Sequence, residues 1–425
     1  MTSSATVRFD DALELALRFA EENAAALGGD VIIVRNLLGR ISFVLTGNPT
    51  NEDALAERLH QQLGVWSAGP RGVILRAEEM VAPEAVLHAK ELQTLARGVR
   101  LLERWVTGSD WIRAPLPRRS SAATRITFFG VKGGVGRSTA LVALARHLAD
   151  RGDRVLVLDL DLESPGVTAS LLPAETRPKF GIVDWLVEDD VGQADDALLL
   201  DLVETSPLAA GTAGEIRVVP AAGAAHPESY VSKLSRVYAS PPGKGDFADR
   251  IARLLDELEA KERPTWVLLD SRAGIDDLAA SLITRFGATS LLFAIDTPQT
   301  WLAYQFLFQA WRRDLNLLRP FREDLKVVAG QVPETHRAEY LDAMRQHASD
   351  LFSAHLYDEA EAGDFEAWNF DLSDPEAPHN PIAVYWGREL QAWDPTSVPE
   401  TVTKDQQQAA FGEMFAYVDQ VLATT

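Results

Sequence analysis

The stretch "FFGVKGGVGRSTAL" (128–141) constrains this chain more than any other. An apolar run enters a turn with glycines at 133, 134 and 136, and a helix-forming segment leaves it. A strand that ends in such a turn and opens a helix aims successive backbone N–H groups, and the positive end of the helix dipole, at one point. That is a cradle for an anion such as phosphate. Gly133, Gly134 and Gly136, with Val135 between them, let the backbone wrap closely. Ser138 is the hydroxyl expected on Mg²⁺, and Thr139 the one expected at an α-phosphate. Lys132 lies inside the turn, and Arg137 stands where loops of this kind normally carry lysine. Arginine is planar, always charged and bidentate toward phosphate, so position 137 keeps the charge and changes the geometry. Phosphoryl transfer depends on positioning, so binding is expected to survive and turnover to be slow.

From residue 125 the chain alternates near-continuous apolar strands ("RITFFGV", "RVLVLDLDL", "IRVVPA", "TWVLLD", "TSLLFAI", "LKVVAGQV") with helical segments. That pattern predicts an α/β fold with a mostly parallel, doubly wound sheet covered on both faces. Ligands of such sheets sit outside the carboxyl ends of the strands. "VLVLDLDLESPG" brings Asp159 and Asp161 to one such end, and "WVLLDSRAG" brings Asp270 to another. Asp276 and Asp277 read as caps on the helix that follows.

The loop with its extra "KGG" lysine resembles the deviant Walker A loop of the ParA/MinD family of P-loop ATPases, in a "KGGVGR" variant. The two strand-terminal aspartate motifs and the strand-plus-"PAAG" segment follow in the family's order across residues 125–335, about half the chain. The resemblance implies that ATP and Mg²⁺ are the cofactors. It implies that Asp159 and Asp270, with Ser138, serve the Mg²⁺ site, partly through water, and that Asp161 positions the attacking water. It implies that Lys132 reaches phosphate across a two-fold interface, so that ATP joins two copies and hydrolysis releases them. The family often carries asparagine after the strand matching "LKVVAGQVP"; Gly330 or Gln331 stands there instead, with Pro333 left to pack on a purine.

Outside this core, residues 1–106 read as a small α/β domain that docks a partner or regulates the core. It has an opening amphipathic helix, two strands, a helix from an Asn or Asp cap near 51, and a long helix over 84–106. Residues 107–124, with two prolines and the Arg118–Arg119 pair, read as a linker. Residues 336–425 form an acidic extension ending in a docked helix whose apolar face is Phe411, Met414, Phe415, Val418 and Val421 or Leu422. Trp386 and Trp393 read as core or interface packing, and His379 has no second His or Cys at metal spacing. With no cysteine, the chain holds neither disulfide nor thiolate metal site.

Charge separates the candidate functions. Residues 1–124 carry 14 basic and 15 acidic side chains, whereas residues 331–425 carry 4 and 18, a net of −14. Affinity for DNA comes largely from cations, so this balance counts against a DNA-partition ATPase. No apolar run reaches the length of a membrane span, and the first residues do not read as a signal peptide, so a cytoplasmic protein is expected. The expected function is a nucleotide-driven switch: slow Mg·ATP hydrolysis with ATP-dependent homodimerisation, coupled to a protein partner. The alternative is an ATP-sensing scaffold that does not hydrolyse.

Overall fold

The computed structural model describes residues 7–89, 91–104, 123–238, 245–359, 367–391, 393–396 and 402–423. The expected linker, with Arg118 and Arg119, lies outside them except for its last two positions. The chain divides into two units, Met1–Ser109 and Asp110–Thr425.

In the first unit, five strands, β1 (Val31–Arg35), β2 (Ile41–Leu45), β3 (Ile74–Arg76), β4 (Gln93–Ala96) and β5 (Val99–Glu103), form a sheet in the order β3-β2-β1-β5-β4. Successive side chains of a strand face opposite ways. Val31 and Ile33 therefore join Phe19, Leu55 and Leu59 of the helices Phe9–Glu22 and Glu52–Leu63, while Ile32 joins Val44 and Leu102 on the other face. Asn51 caps the second helix by position only: it has a φ of 55° and no side-chain cap bond.

The long helix expected over 84–106 is not formed. Its sequence gives one helical turn, Glu84–Leu87, and then the β4–β5 hairpin. Leu92, Leu95, Val99 and Leu102 fit a helical stripe, yet the same segment also alternates as a strand. Gly98, at φ +77°, supplies the turn a hairpin needs and would cost a helix about 1 kcal/mol. Parallel pairing of β5 with β1 then buries Val99 and Leu101.

In the second unit, eight strands form one sheet: β6 (Thr124–Gly130), β7 (Arg154–Asp159), β8 (Glu204–Thr205), β9 (Glu215–Val219), β10 (Trp266–Ala273), β11 (Thr289–Ala294), β12 (Leu325–Val332) and β13 (Ile382–Tyr385). Their order is β13-β12-β11-β6-β10-β7-β9-β8, and every pair is parallel except β8 with β9. Apolar clusters cover both faces, as the unbroken hydrophobic strands require. The helix Arg137–Asp150 packs on one face beside the helix Lys404–Ala423.

That last helix buries Phe411, Met414, Phe415 and Val418 as its spacing predicts; the side chains of Val421 and Leu422 lie outside the described set. His147 stacks on Phe415 with ring centroids 4.2 Å apart, and Glu413 accepts from the backbone N–H of Ala383 in β13. Residues after 336 thus contribute a strand and a covering helix to the same sheet. Among the described residues, no helix is long and apolar enough to cross a membrane.

Candidate functional site

The glycine turn is an arch on two apolar feet. Val131 and Val135 are buried, while Lys132, Gly133 and Gly134 between them are exposed. Gly134 (φ +73°) and Gly136 (φ +88°) take left-handed conformations that a side chain resists, and Gly136 is the N-cap of the helix beginning at Arg137. The backbone N–H groups of that helix's first turn have no intrahelical partner.

The end of β12 braces this arch. Gly330 sits so close that a Cβ there would lie 2.3 Å from the carbonyl oxygen of Val135. Gln331, at φ 55°, donates from Nε2 to the carbonyl of Gly134 at 2.5 Å. These are the positions where the sequence lacked the familiar asparagine. Pro333 lies just beyond β12 and is not among the residues lining the cleft described below.

Beneath the arch, Asp159 and Asp270 are in-register partners on the adjacent parallel strands β7 and β10. Both are essentially inaccessible to solvent. Asp270 Oδ2 accepts from the Ser138 hydroxyl at 3.0 Å, and Asp159 Oδ2 accepts from the hydroxyl (2.6 Å) and N–H (3.1 Å) of Thr168. Each aspartate keeps a buried Oδ1 with no hydrogen-bond partner. Burial pushes the Asp159 carboxyl up to about 6; burial and the neighbouring Asp159 charge push Asp270 up to about 7. Asp161 is half-buried, raised mainly by burial, and accepts from the N–H of Ser164.

Two orphaned carboxylate oxygens beside a serine hydroxyl suit a hydrated Mg²⁺, which takes one or two carboxylates plus phosphate oxygens and keeps several waters. Among the described residues no group of three or more His, Cys, Asp or Glu is arranged as a self-sufficient metal centre. The donor set therefore fits a metal that arrives with a phosphate ligand.

Arg137 is buried and donates from Nη1 to the backbone carbonyl of Ser271. Next to Ser271, Arg272 pairs with Glu163 at 3.3 Å, and the Tyr238 hydroxyl donates to the same Glu163 oxygen at 2.5 Å. Asp276 caps its helix by accepting from the N–H of Ala279, as its position predicts.

An open cleft of about 280 Å³ adjoins the arch, lined by Gly134, Gly136, Thr139 and Gln331 on one side and Tyr385, Trp386 and Phe411 on the other. Trp386 is exposed at 39 %, so of the two expected roles, core or interface packing, it does not take the first, and it lines this cleft. His379 is fully buried, with Nδ1 bonded to the Tyr357 hydroxyl and Nε2 facing the carbonyl of Leu372.

The model of the CobQ/CobB/MinD/ParA nucleotide binding domain matches residues 126–345, just over half of the chain, including the arch, Asp159, Asp161 and Asp270 but not the cleft wall of Tyr385, Trp386 and Phe411. The chain belongs to that family. The chain is 26% identical over 227 residues to the antiactivator FleN of Pseudomonas aeruginosa, covering 53% of this chain and 68% of FleN. A ParA family ATPase from Chlorobium tepidum superposes with a TM-score of 0.44 at 14% identity, over 69% of this chain and 99% of that one. Cobyrinic acid a,c-diamide synthase from Mycobacterium smegmatis, bound to an ATP analogue and magnesium, gives 0.37 at 18% identity, over 52% and 80%.

Sequence reasoning did not single out Thr168, Arg272, Tyr385 or Trp386 as site residues. "YWGREL" carries a signal only in hindsight: an aromatic pair that begins at the last residue of a short apolar strand, at the carboxyl edge where ligands sit.

Proposed function

We propose that this chain is an ATP-driven molecular switch whose nucleotide state governs a protein partner. The observation that carries the reading is the buried, in-register Asp159–Asp270 pair with its orphaned oxygens, lying under the arch and tied to it through Ser138. Such a pair is costly for a fold without a ligand, because two carboxylates share one desolvated site. A Mg²⁺ brought by a nucleotide supplies the compensating charge.

In this reading the backbone of Gly133–Ser138, with Arg137, Thr139 and exposed Lys132, binds the phosphates. Ser138, Asp159 and Asp270 hold the metal, partly through water. Asp161, at the strand's end and half-exposed, accepts the hydrogen bond that orients a water. Lys132 projects from the tip of the arch and is free to reach the phosphates of a second copy. Trp386 offers a flat face to a base, beside a Tyr385 ring that carries the Arg337 guanidinium on one face, and a purine stacked on Trp386 would gain about 1–3 kcal/mol by analogy with bases on aromatic platforms. The name antiactivator for FleN supports an output through a protein partner. The acidic balance of the chain disfavours DNA.

The deciding experiment is Mg²⁺-dependent ATP turnover by the purified chain, with Asp161→Ala as background. Turnover well above that variant supports the hydrolytic switch. ATP binding without any difference between the two reduces the chain to an ATP-sensing scaffold, and no binding removes the reading altogether. Light scattering checks the assembly: ATP should shift the Asp161→Ala chain from one copy to two, and Lys132→Ala should abolish that shift.

A further inference from the structure

We propose that Arg137 is a positioning residue that fastens the phosphate arch to the backbone after Asp270 and passes the state of the bound nucleotide to that segment. The proposal rests on the nucleotide-binding reading above. It begins with a break in the sheet: the register of β10 against β6 shifts between Asp270 and Ala273, so Ser271 and Arg272 leave the ladder. A bulge leaves backbone groups without their regular partners. The Ser271 carbonyl accepts from Arg137 Nη1 instead.

The arginine is folded inward to do this. Its Cδ lies 3.2 Å from where a Cβ on Gly130 would be, so the stem crosses the end of β6, where glycine leaves room for it. The segment is also stitched to β6 on both sides of the bulge: the Ser271 hydroxyl donates to the carbonyl of Phe128 at 2.9 Å, and the Gly274 N–H donates to that of Gly130 at 3.1 Å. Arg137 is the tie between them that belongs to the phosphate arch.

A guanidinium has five N–H donors spread over separate edges of one plane, whereas an ammonium projects its donors from a single atom. Arginine can therefore hold a carbonyl on one edge and an anion on another. Among the described residues, the Arg137 side chain makes no hydrogen bond besides that to Ser271. Any pull on the guanidinium by phosphate acts directly on the bulge, where the ladder to β6 is interrupted. It then reaches further, because Arg272 pairs with Glu163, two residues after Asp161. The unusual residue at 137 thus joins the arch to both aspartate-bearing segments.

Hydrogen exchange of the full-length chain tests this over the amides of residues 272–276. Wild type, Arg137→Lys and Arg137→Met are compared without nucleotide, with Mg·ADP and with Mg and a non-hydrolysable ATP analogue, each saturated according to its own titration. Without nucleotide, both variants should exchange about tenfold faster than wild type, the loss expected for one charge-assisted hydrogen bond on a locally opening segment. Wild type should differ by about tenfold between ADP and the analogue, and Arg137→Lys by less than about twofold. Equal exchange of the three nucleotide-free proteins overturns the tie, and this holds whether or not a variant binds nucleotide. A nucleotide response of wild-type size in Arg137→Lys overturns the transmission. A wild-type chain that binds no nucleotide defeats the underlying function instead, and the transmission with it, while the nucleotide-free comparison still decides the tie.

Discussion

Asp276 shows how far one carboxylate can be read. Its place before "DLAASLIT" marks a helix cap, and it caps through Oδ1, but Oδ2 is buried without a partner. Burial pushes its pKa up to about 6, with Glu163 adding to the rise and Arg272 opposing it. The folded chain therefore binds this proton more tightly than the unfolded chain, whose Asp titrates near 3.9. Stability from this group is present below about pH 4 and is lost as pH rises through about 6. Asparagine caps as well as aspartate and carries no charge. Asp276→Asn should leave the urea midpoint near wild type at pH 4 and raise stability by about 1–3 kcal/mol at pH 8. Equal midpoints at both pH values would refute the assignment. The Asp159–Asp270 pair gives the companion test. Asp270→Asn should melt no lower than wild type without ligand, yet lose the extra thermal shift that Mg²⁺ adds to ATP. Asp159 and Asp270 were legible because each ends an apolar run, and Asp276 because it stands just before a helix-forming segment. Thr168 was not, and Gln331 was legible only as a departure from the family's asparagine, because their contacts depend on how distant segments are brought together.

Among elements, β12 and the helix Lys404–Ala423 carry the arch without belonging to its motif. Gly330→Ala would drive a methyl into the Val135 carbonyl, and backbone cannot yield as a flexible side chain can. It should weaken nucleotide binding by at least tenfold and lower the melting temperature, as calorimetry with and without Mg·ATP would show. Phe411 is buried against the helix Arg137–Asp150 and also lines the cleft. Phe411→Ala should cost about 3–5 kcal/mol in a denaturant titration, the usual loss for a large core side chain. At this scale the sequence was readable where periodicity was one-valued. The parallel strands through β12 stood out as unbroken apolar runs. Residues 84–106 fitted both periods, and a glycine at left-handed φ decided for the hairpin. β13 escaped notice because four residues that run from a proline-containing stretch into an aromatic pair make too short a pattern.

The whole molecule holds two units, each with its own sheet and apolar clusters. Residues 1–104 produced alone should show a single cooperative thermal transition, and residues 123–425 should bind Mg·ATP within about threefold of the full chain if the nucleotide site is self-sufficient. A second unit that aggregates or loses binding would make the first unit part of the site's support. The cleft itself joins positions as far apart in the chain as Gly134 and Phe411. Synthesis proceeds from the amino end, so the phosphate arch emerges from the ribosome long before one wall of its cleft exists. Until residues 382–423 follow, β12 remains an open edge and the helix Arg137–Asp150 lacks its apolar cover. A premature stop near residue 380 therefore removes the cleft wall while sparing every residue of the phosphate motif.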